Sequence, residues 1–212
     1  MKWFLFFSSI LFVSPSFTTN NGESLVNRQP QISAHNLYRE TDLAQGVFLV
    51  ASEKLLDPNF RETVILILDY GRNGARGIII NRKTEVDLAR VFQDVKTLQD
   101  ANETLFLGGP VAMNQVYLLA RSNEKIENST NIVENVYISS SYDVLSLMIE
   151  GKKPENAFRA YSGFAGWAPG QLENEIHRGD WRIVRANTSA IFDENPDTIW
   201  SDIMAALSRQ WI

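Results

Sequence analysis

Three short runs of apolar residues constrain the fold of this chain more than any other feature of its sequence. They occupy residues 46–51, 63–69 and 77–81. A strand with one wet face alternates apolar and polar residues, whereas unbroken apolar runs of this length are typical of strands buried on both faces. A turn signal at residues 70–74 separates the second run from the third. These two runs are therefore predicted to form a hairpin in the middle of a sheet.

The remaining elements alternate without a regular βαβ repeat. Further strands are predicted at residues 104–107, 116–120, 136–139, 157–164 and 181–185. A helix over residues 86–95 is predicted after a capping box formed by Thr84 and Asp87. Others are expected from residue 140 or 141 to 149, at 171–178, and after Asn195 as N-cap with Pro196 at the first helical position. This mixture predicts an α+β domain.

The first sixteen residues have the layout of a secretory signal peptide. Lys2 precedes an apolar stretch at residues 3–13, and the small, turn-forming segment at residues 14–16 follows. The stretch is too short for an ordinary transmembrane helix. Export with cleavage near Phe17 is expected, and a retained anchor or a mis-assigned start are the alternatives. Residues 17–42 are predicted to be a polar linker and residues 43–212 one folded domain. The expected location is periplasmic or secreted; a cytoplasmic chain is the alternative.

Composition excludes several kinds of chemistry. The 212 residues include no cysteine and two histidines, His35 and His177. Thiol nucleophiles, disulfides and thiolate zinc sites are therefore excluded, and neither a metal centre nor a cofactor is predicted. The formal net charge is −5, which disfavours direct nucleic-acid binding. The nearest basic run contains Arg72, Arg76 and Arg82, and is interpreted as a solvated turn and strand exit in preference to a binding patch.

Two segments allow both a structural and a binding interpretation. Asp57 and Arg61 could bind a polar ligand at a strand entrance, or Asp57 could accept backbone N–H groups within its own turn. Gly108 and Gly109 precede Pro110 after a strand. They lack the lysine and hydroxyl residue of a phosphate loop, so close packing or positive φ explains them better.

The segment from Gly163 to Trp167 is the most prominent candidate binding site. Its small residues allow close backbone approach, and Trp167 offers a large amphipathic surface. A groove around Trp167, Gln171 and Glu175 is therefore predicted to hold a ligand or partner. The equally favoured alternative is that Trp167 caps the core while Gln171 satisfies the start of its helix. Ser162 lacks the frame of a nucleophile elbow, so no catalytic residue is assigned.

Four segments, in order along the chain, resemble the sequence pattern of the YqgE/AlgH family. They are residues 56–64, 74–81, 107–111 and 163–181, and the ordered set spans nearly the whole folded part. The chain is identified as a member of that family on this basis. The resemblance implies a single compact α+β domain with a mixed, strongly curved β-sheet flanked by helices. It implies no particular reaction, although the AlgH name carries a suggested role in transcriptional regulation of alginate synthesis.

The leading functional hypothesis is a non-catalytic binding or regulatory module that recognises a protein or a small polar ligand. Its candidate binding residues are Asp57, Arg61, Arg76, Asn81, Gly108, Gly109, Trp167, Gln171 and Glu175. One alternative is a hydrolase or isomerase that uses Asp57, Glu175 or His177 as acid or base. The other is a transcriptional regulator, which requires a cytoplasmic chain. Membrane contact is expected only through residues 1–16 if they are not removed.

Overall fold

The computed structural model describes residues 41–98, 103–150 and 157–209. The predicted signal peptide, residues 17–40 of the predicted linker and His35 lie outside the described residues. The amide of Thr41 donates to the carbonyl of Ile183 over 3.2 Å, so contacts with the sheet already begin at the end of that linker. Within the described ranges, no helix is long and apolar enough to cross a membrane.

The described residues form ten strands and five helices. The strands are Val47–Ala51 (β1), Val64–Gly71 (β2), Gly74–Ile79 (β3), Lys83–Asp87 (β4), Thr104–Leu107 (β5), Val111–Arg121 (β6), Thr130–Val133 (β7), Val136–Ser139 (β8), Ala157–Trp167 (β9) and Trp181–Arg185 (β10). The helices are Leu88–Val91 (α1), Tyr142–Glu150 (α2), Gln171–Arg178 (α3), Thr188–Phe192 (α4) and Ile199–Ser208 (α5), and a 3₁₀ turn covers Lys96–Leu98.

All ten strands belong to one mixed sheet. Its order is β10-β1-β2-β3-β9-β6-β8-β7, with β5 attached to β9 and β4 attached to β5. The β5–β9 pair is parallel, and the other pairs are antiparallel. The predicted hairpin is confirmed as β2 and β3, which lie inside the sheet between β1 and β9. The α+β class predicted from the sequence is therefore confirmed.

The sheet curls into a half-barrel, as the family resemblance implied. Its two distant ends approach each other: the side-chain amide of Gln45, just before β1, donates to the carbonyl of Asn131 in β7 over 3.1 Å. A single concavity is lined both by Leu68 of β2 and by Ile132 of β7, although four strands, β3, β9, β6 and β8, lie between β2 and β7 in the sheet order. Strong curvature therefore creates concave surface on the inner face.

The apolar residues of the buried strands pack into clusters on both faces of the sheet. In β1, Phe48 and Val50 belong to one buried cluster, whereas Leu49 belongs to another. The first cluster lies on the inner face and includes Ile191 of α4 and Ile203 of α5. The second lies on the outer face under α3, and a third outer cluster packs under α2. Since each buried aliphatic side chain contributes about 1.5–3 kcal/mol, both faces of these strands stabilise the domain.

The predicted helix over residues 86–95 is wrong. Residues 83–87 form β4 instead, and only Leu88–Val91 are α-helical, with Asp87 as N-cap accepting from the amide of Ala89. The Thr84 hydroxyl donates to the carbonyl of Leu105 in β5 over 2.6 Å. Thr84 therefore serves strand pairing and not a capping box, because a contact distant in sequence outweighs the local signal.

The last helix also begins later than predicted. Asn195 starts a turn in which its side chain accepts from the amide of Asp197, and Thr198 is the N-cap of α5. Strand β7 and helix α4 were not predicted at all. The polar residues of β7 resemble a loop, and α4 is short, although its N-cap Asn187 has the usual side-chain bond to Ala190 N.

Candidate functional site

The inner face of the half-barrel carries a concavity of about 450 Å³, which we term the hairpin concavity. It forms where the β2–β3 hairpin meets β9 and the start of β6. Its lining residues are Asp69, Gly71, Arg72, Asn73, Gly74, Ala75, Arg76, Val111, Phe164, Gly166 and Trp167. Val111 is exposed and Phe164 is half-buried, so the hollow combines charged groups with apolar surface.

Arginines dominate the charge of the hairpin concavity. Arg72 is exposed in the turn between β2 and β3. Arg76 lies opposite Asp69 in the strand register, and its Nη2 is 3.7 Å from Asp69 Oδ2, with both side chains well exposed. An exposed ion pair contributes only about 0–1 kcal/mol. Arg76 can therefore exchange Asp69 for an anionic ligand at little energetic cost.

A second hollow of about 370 Å³, the barrel concavity, adjoins the first. Arg76 lines both concavities, so they meet at this side chain. Tyr117 of the barrel concavity also contacts Phe164 of the hairpin concavity edge to face, with ring centroids 6.1 Å apart. The rest of the barrel concavity is lined by uncharged residues, among them Leu68 and Ile138. The two hollows therefore meet at Arg76 on the inner face and are together termed the trough, with the arginines towards one end.

The predicted groove around Trp167 is mostly a packed cluster. Trp167 is 6% exposed and Trp181 is 3% exposed. Both indole Nε1–H groups donate to Oε2 of Glu175 over 2.9 Å. Gln171 donates to Oε1 of the same carboxylate over 3.0 Å, and its own Oε1 accepts from the amide of Ala168. These contacts match the structural alternative, in which Trp167 caps the core and Gln171 satisfies the start of α3.

Asp57 and Asn81 also have structural partners. The carboxylate of Asp57 accepts from the amide of Asn59 over 2.8 Å, as the turn interpretation predicts. Asn81, which follows β3, binds the start of β2: its side chain accepts from the amide of Val64 over 2.8 Å and donates to the carbonyl of Glu62 over 3.0 Å. Arg61 is exposed beside this loop.

Arg82, next to Asn81, forms hydrogen bonds to the loop that contains Asp57. Its Nη2 donates to the carbonyl of Pro58 over 3.0 Å and to that of Arg61 over 3.4 Å. Burial and the nearby Arg61 charge lower the pKa of Arg82, and Asp57 opposes that shift. These contacts give the loop a structural role at the strand entrance.

Gly108 and Gly109 are buried where the chain crosses over β9. A Cβ on Gly108 would lie 2.4 Å from the carbonyl oxygen of Gly163, and one on Gly109 would lie 2.2 Å from the carbonyl carbon of Phe164. Gly109 has φ of 156° and Gly163 has φ of 71°. Close backbone packing, the alternative given above for these glycines, therefore accounts for them.

The residues of the enzyme alternative are not joined in the described structure. No hydrogen bond links Asp57, Glu175 and His177, and His177 is exposed in the last turn of α3. Glu173, about one turn before His177 in α3, accepts from the hydroxyl of Tyr70 over 2.8 Å. This hydrogen bond is the main cause of the raised pKa of Tyr70. Among the described residues, no group of three or more side chains could hold a metal ion.

Comparison with known proteins identifies the family. A family model described as AlgH-like matches residues 48–211. The chain belongs to the AlgH-like family. A UPF0301 protein of Methylococcus capsulatus is 34% identical over 75% of this chain and 88% of its own length, and one of Chlorobium limicola is 32% identical over 75% and 84%.

Solved structures show the same AlgH-like fold. The solution structure of the AlgH protein from Pseudomonas aeruginosa matches with a TM-score of 0.66 and 29% identity, covering 80% of this chain and 92% of that one. The crystal structure of protein DIP2367 from Corynebacterium diphtheriae also matches with a TM-score of 0.66, at 25% identity over 78% and 88%.

Among the lining residues of the hairpin concavity of this AlgH-like chain, Arg76 and Trp167 are predicted binding residues from the sequence. The sequence places Arg72 in a solvated turn and predicts no binding role for Phe164 or Tyr117. A signal was present for Arg72, because the basic run containing Arg72 and Arg76 lies on either side of a hairpin turn. No local signal identifies Phe164 and Tyr117, which adjacent strands bring together.

Proposed function

We propose that this AlgH-like protein is a non-catalytic binding module whose hairpin concavity recognises a ligand bearing a carboxylate or phosphate group. One observation carries the proposal: Arg72 and Arg76 line the same hollow as the half-buried Phe164. Binding sites commonly combine apolar walls with a few charged groups that orient the ligand. A guanidinium offers paired N–H donors that match carboxylate or phosphate oxygens.

The contacts of the potential acids and bases favour binding over catalysis. Glu175 accepts from two buried indoles, and Asp57 accepts within its own turn. Groups held in this way are poorly placed to move a substrate proton. The exposed Asp69 is the acid in the hairpin concavity, and Arg76 is its partner. A reversible exchange of this partner for an anionic ligand is the chemistry that we assign to the site.

Isothermal titration calorimetry with succinate, citrate and inorganic phosphate tests this proposal. Binding is expected to weaken as salt concentration rises, because exposed charge pairs are screened. The double variant Arg72→Gln, Arg76→Gln should bind at least about tenfold more weakly, a loss of about 1.4 kcal/mol. The matched control is Arg90→Gln, an exposed arginine in α1 away from the concavity lining. The proposal fails if the wild-type protein binds none of these anions, or if the double variant binds like the control.

A further inference from the structure

We infer that the ligand of the trough is an extended segment of a partner protein, with acidic residues at one end and apolar residues next to them. The inference rests on the proposed function and names the partner chemistry for the same site. It starts from the junction of the two concavities at Arg76. A ligand that pairs with Arg76 from the hairpin concavity has the barrel concavity beside it, whose other lining residues are uncharged.

The size of the trough favours a chain over a single small anion. The hairpin and barrel concavities have volumes of about 450 and 370 Å³, and each alone lies in the range of about 300–1,000 Å³ that holds a whole drug-sized ligand. The two hollows lie side by side and share Arg76, so a ligand that fills both is longer than succinate or phosphate.

The pattern of lining groups selects the side chains of such a peptide. The charged groups that face the trough are Arg72, Arg76 and Asp69, and Asp69 faces Arg76. Positive charge therefore prevails there, although the whole chain has a formal net charge of −5. Phe164 and Tyr117 form an aromatic wall beyond Arg76. Acidic side chains at one end of the segment therefore fit the arginines, and the apolar side chains next to them fit the aromatic wall and the uncharged part of the barrel concavity.

Fluorescence anisotropy with a labelled peptide of three glutamates followed by three valines tests the inference, and the analogue with glutamines in place of the glutamates is the matched neutral probe. The wild-type protein should bind the acidic peptide at least about tenfold more tightly than either the neutral analogue or succinate. Arg76→Gln should remove this preference, and Arg90→Gln should not.

A second variant separates the peptide from a small anion. Thr130 is exposed and lines the barrel concavity but not the hairpin concavity, so Thr130→Trp fills the barrel concavity and leaves the arginines in place. This variant should bind the acidic peptide at least about tenfold more weakly while succinate binding is unchanged. A thermal melt within a few degrees of the wild type verifies its fold.

The outcomes distinguish the inference from the proposal beneath it. If succinate or phosphate binds through Arg72 and Arg76 but the acidic peptide binds no more tightly, the inference is overturned and the anion site stands. Equal binding of the acidic and neutral peptides also overturns it, as does full peptide affinity in Thr130→Trp. If the wild-type protein binds none of succinate, citrate and phosphate, the proposed function itself is wrong.

Discussion

Trp167 and Trp181 share one hydrogen-bond acceptor: both indoles donate to Oε2 of Glu175 over 2.9 Å. Both rings are buried and meet edge to face with centroids 6.1 Å apart. Removing the carboxylate leaves two buried N–H donors without their acceptor, and each such donor costs about 1–3 kcal/mol. We expect Glu175→Ala to lower the free energy of unfolding by about 2–4 kcal/mol, measured by urea denaturation.

Glu173→Ala is the control for this prediction. Glu173 lies on the same helix, but it is exposed, and its partner is the hydroxyl of Tyr70. A solvated bond of this kind is worth at most about 1 kcal/mol. Equal losses of stability in the two variants would contradict the structural role assigned to Glu175.

The crossing of the Gly108 segment over β9 predicts that Gly163 tolerates no side chain. Gly163 has φ of 71°, and a Cβ there would lie 2.5 Å from the carbonyl oxygen of Gly109. Since backbone strain and overpacking act together, Gly163→Ala should lower the free energy of unfolding by about 3 kcal/mol or more. Gly71→Ala is the matched control, because a Cβ on Gly71 meets nothing within 4 Å. Urea denaturation that finds both variants near wild-type stability would refute this account of the glycine.

Ionisation of the buried Tyr161 is expected to lower the free energy of unfolding at alkaline pH. Burial raises the pKa of Tyr161 to about 12, although the nearby Arg159 charge opposes the shift. In the unfolded chain a tyrosine ionises near pH 10. The unfolded state therefore binds fewer protons than the folded state above pH 10, so the stabilisation is complete below that pH and is lost as pH rises through about 12. The whole contribution is about 2–3 kcal/mol.

Tyr161→Phe isolates this effect. Its free energy of unfolding at pH 7 should equal or exceed that of the wild type, because the Tyr161 hydroxyl is buried and has no hydrogen-bond partner of ordinary geometry within the described residues. Between pH 9 and 11, measured in urea, the variant should lose about 1 kcal/mol less stability than the wild type. If the wild type and Tyr161→Phe lose the same free energy of unfolding over this pH range, ionisation of Tyr161 is not the cause of the alkaline loss.

The export hypothesis predicts a shortened mature chain. The cation, apolar stretch and small residues at positions 2–16 match the requirements of a signal peptide. Cell fractionation with N-terminal sequencing should therefore find a periplasmic or secreted product that begins near Phe17. A full-length cytoplasmic product would contradict the hypothesis and would favour the regulatory role suggested by the AlgH name.

Local signals in the sequence predicted several elements residue for residue. Strands β5, β8 and β10 and helix α3 have the bounds that the sequence indicated. Helix α3 ends at Gly179 with φ of 82°, a backbone conformation that glycine adopts readily. The helix predicted over residues 86–95 failed because the pairing of β4 with β5 joins residues about twenty positions apart, and no local pattern reports such a contact.

The residues of the candidate site likewise fall into those that the sequence predicted and those that only the tertiary structure brought together. Sequence alone determined the family, through four ordered segments that resemble its pattern. It also determined the α+β class and the buried strands, because unbroken apolar runs and turn residues act over short distances. It also identified Arg76 and Trp167 as residues of interest. Only the tertiary structure decided that the Trp167 indole lies inside a cluster with Glu175, while Arg72, Arg76, Phe164 and Tyr117 border one trough. The curl of the sheet sets these neighbours, and it results from strand pairings between distant parts of the chain.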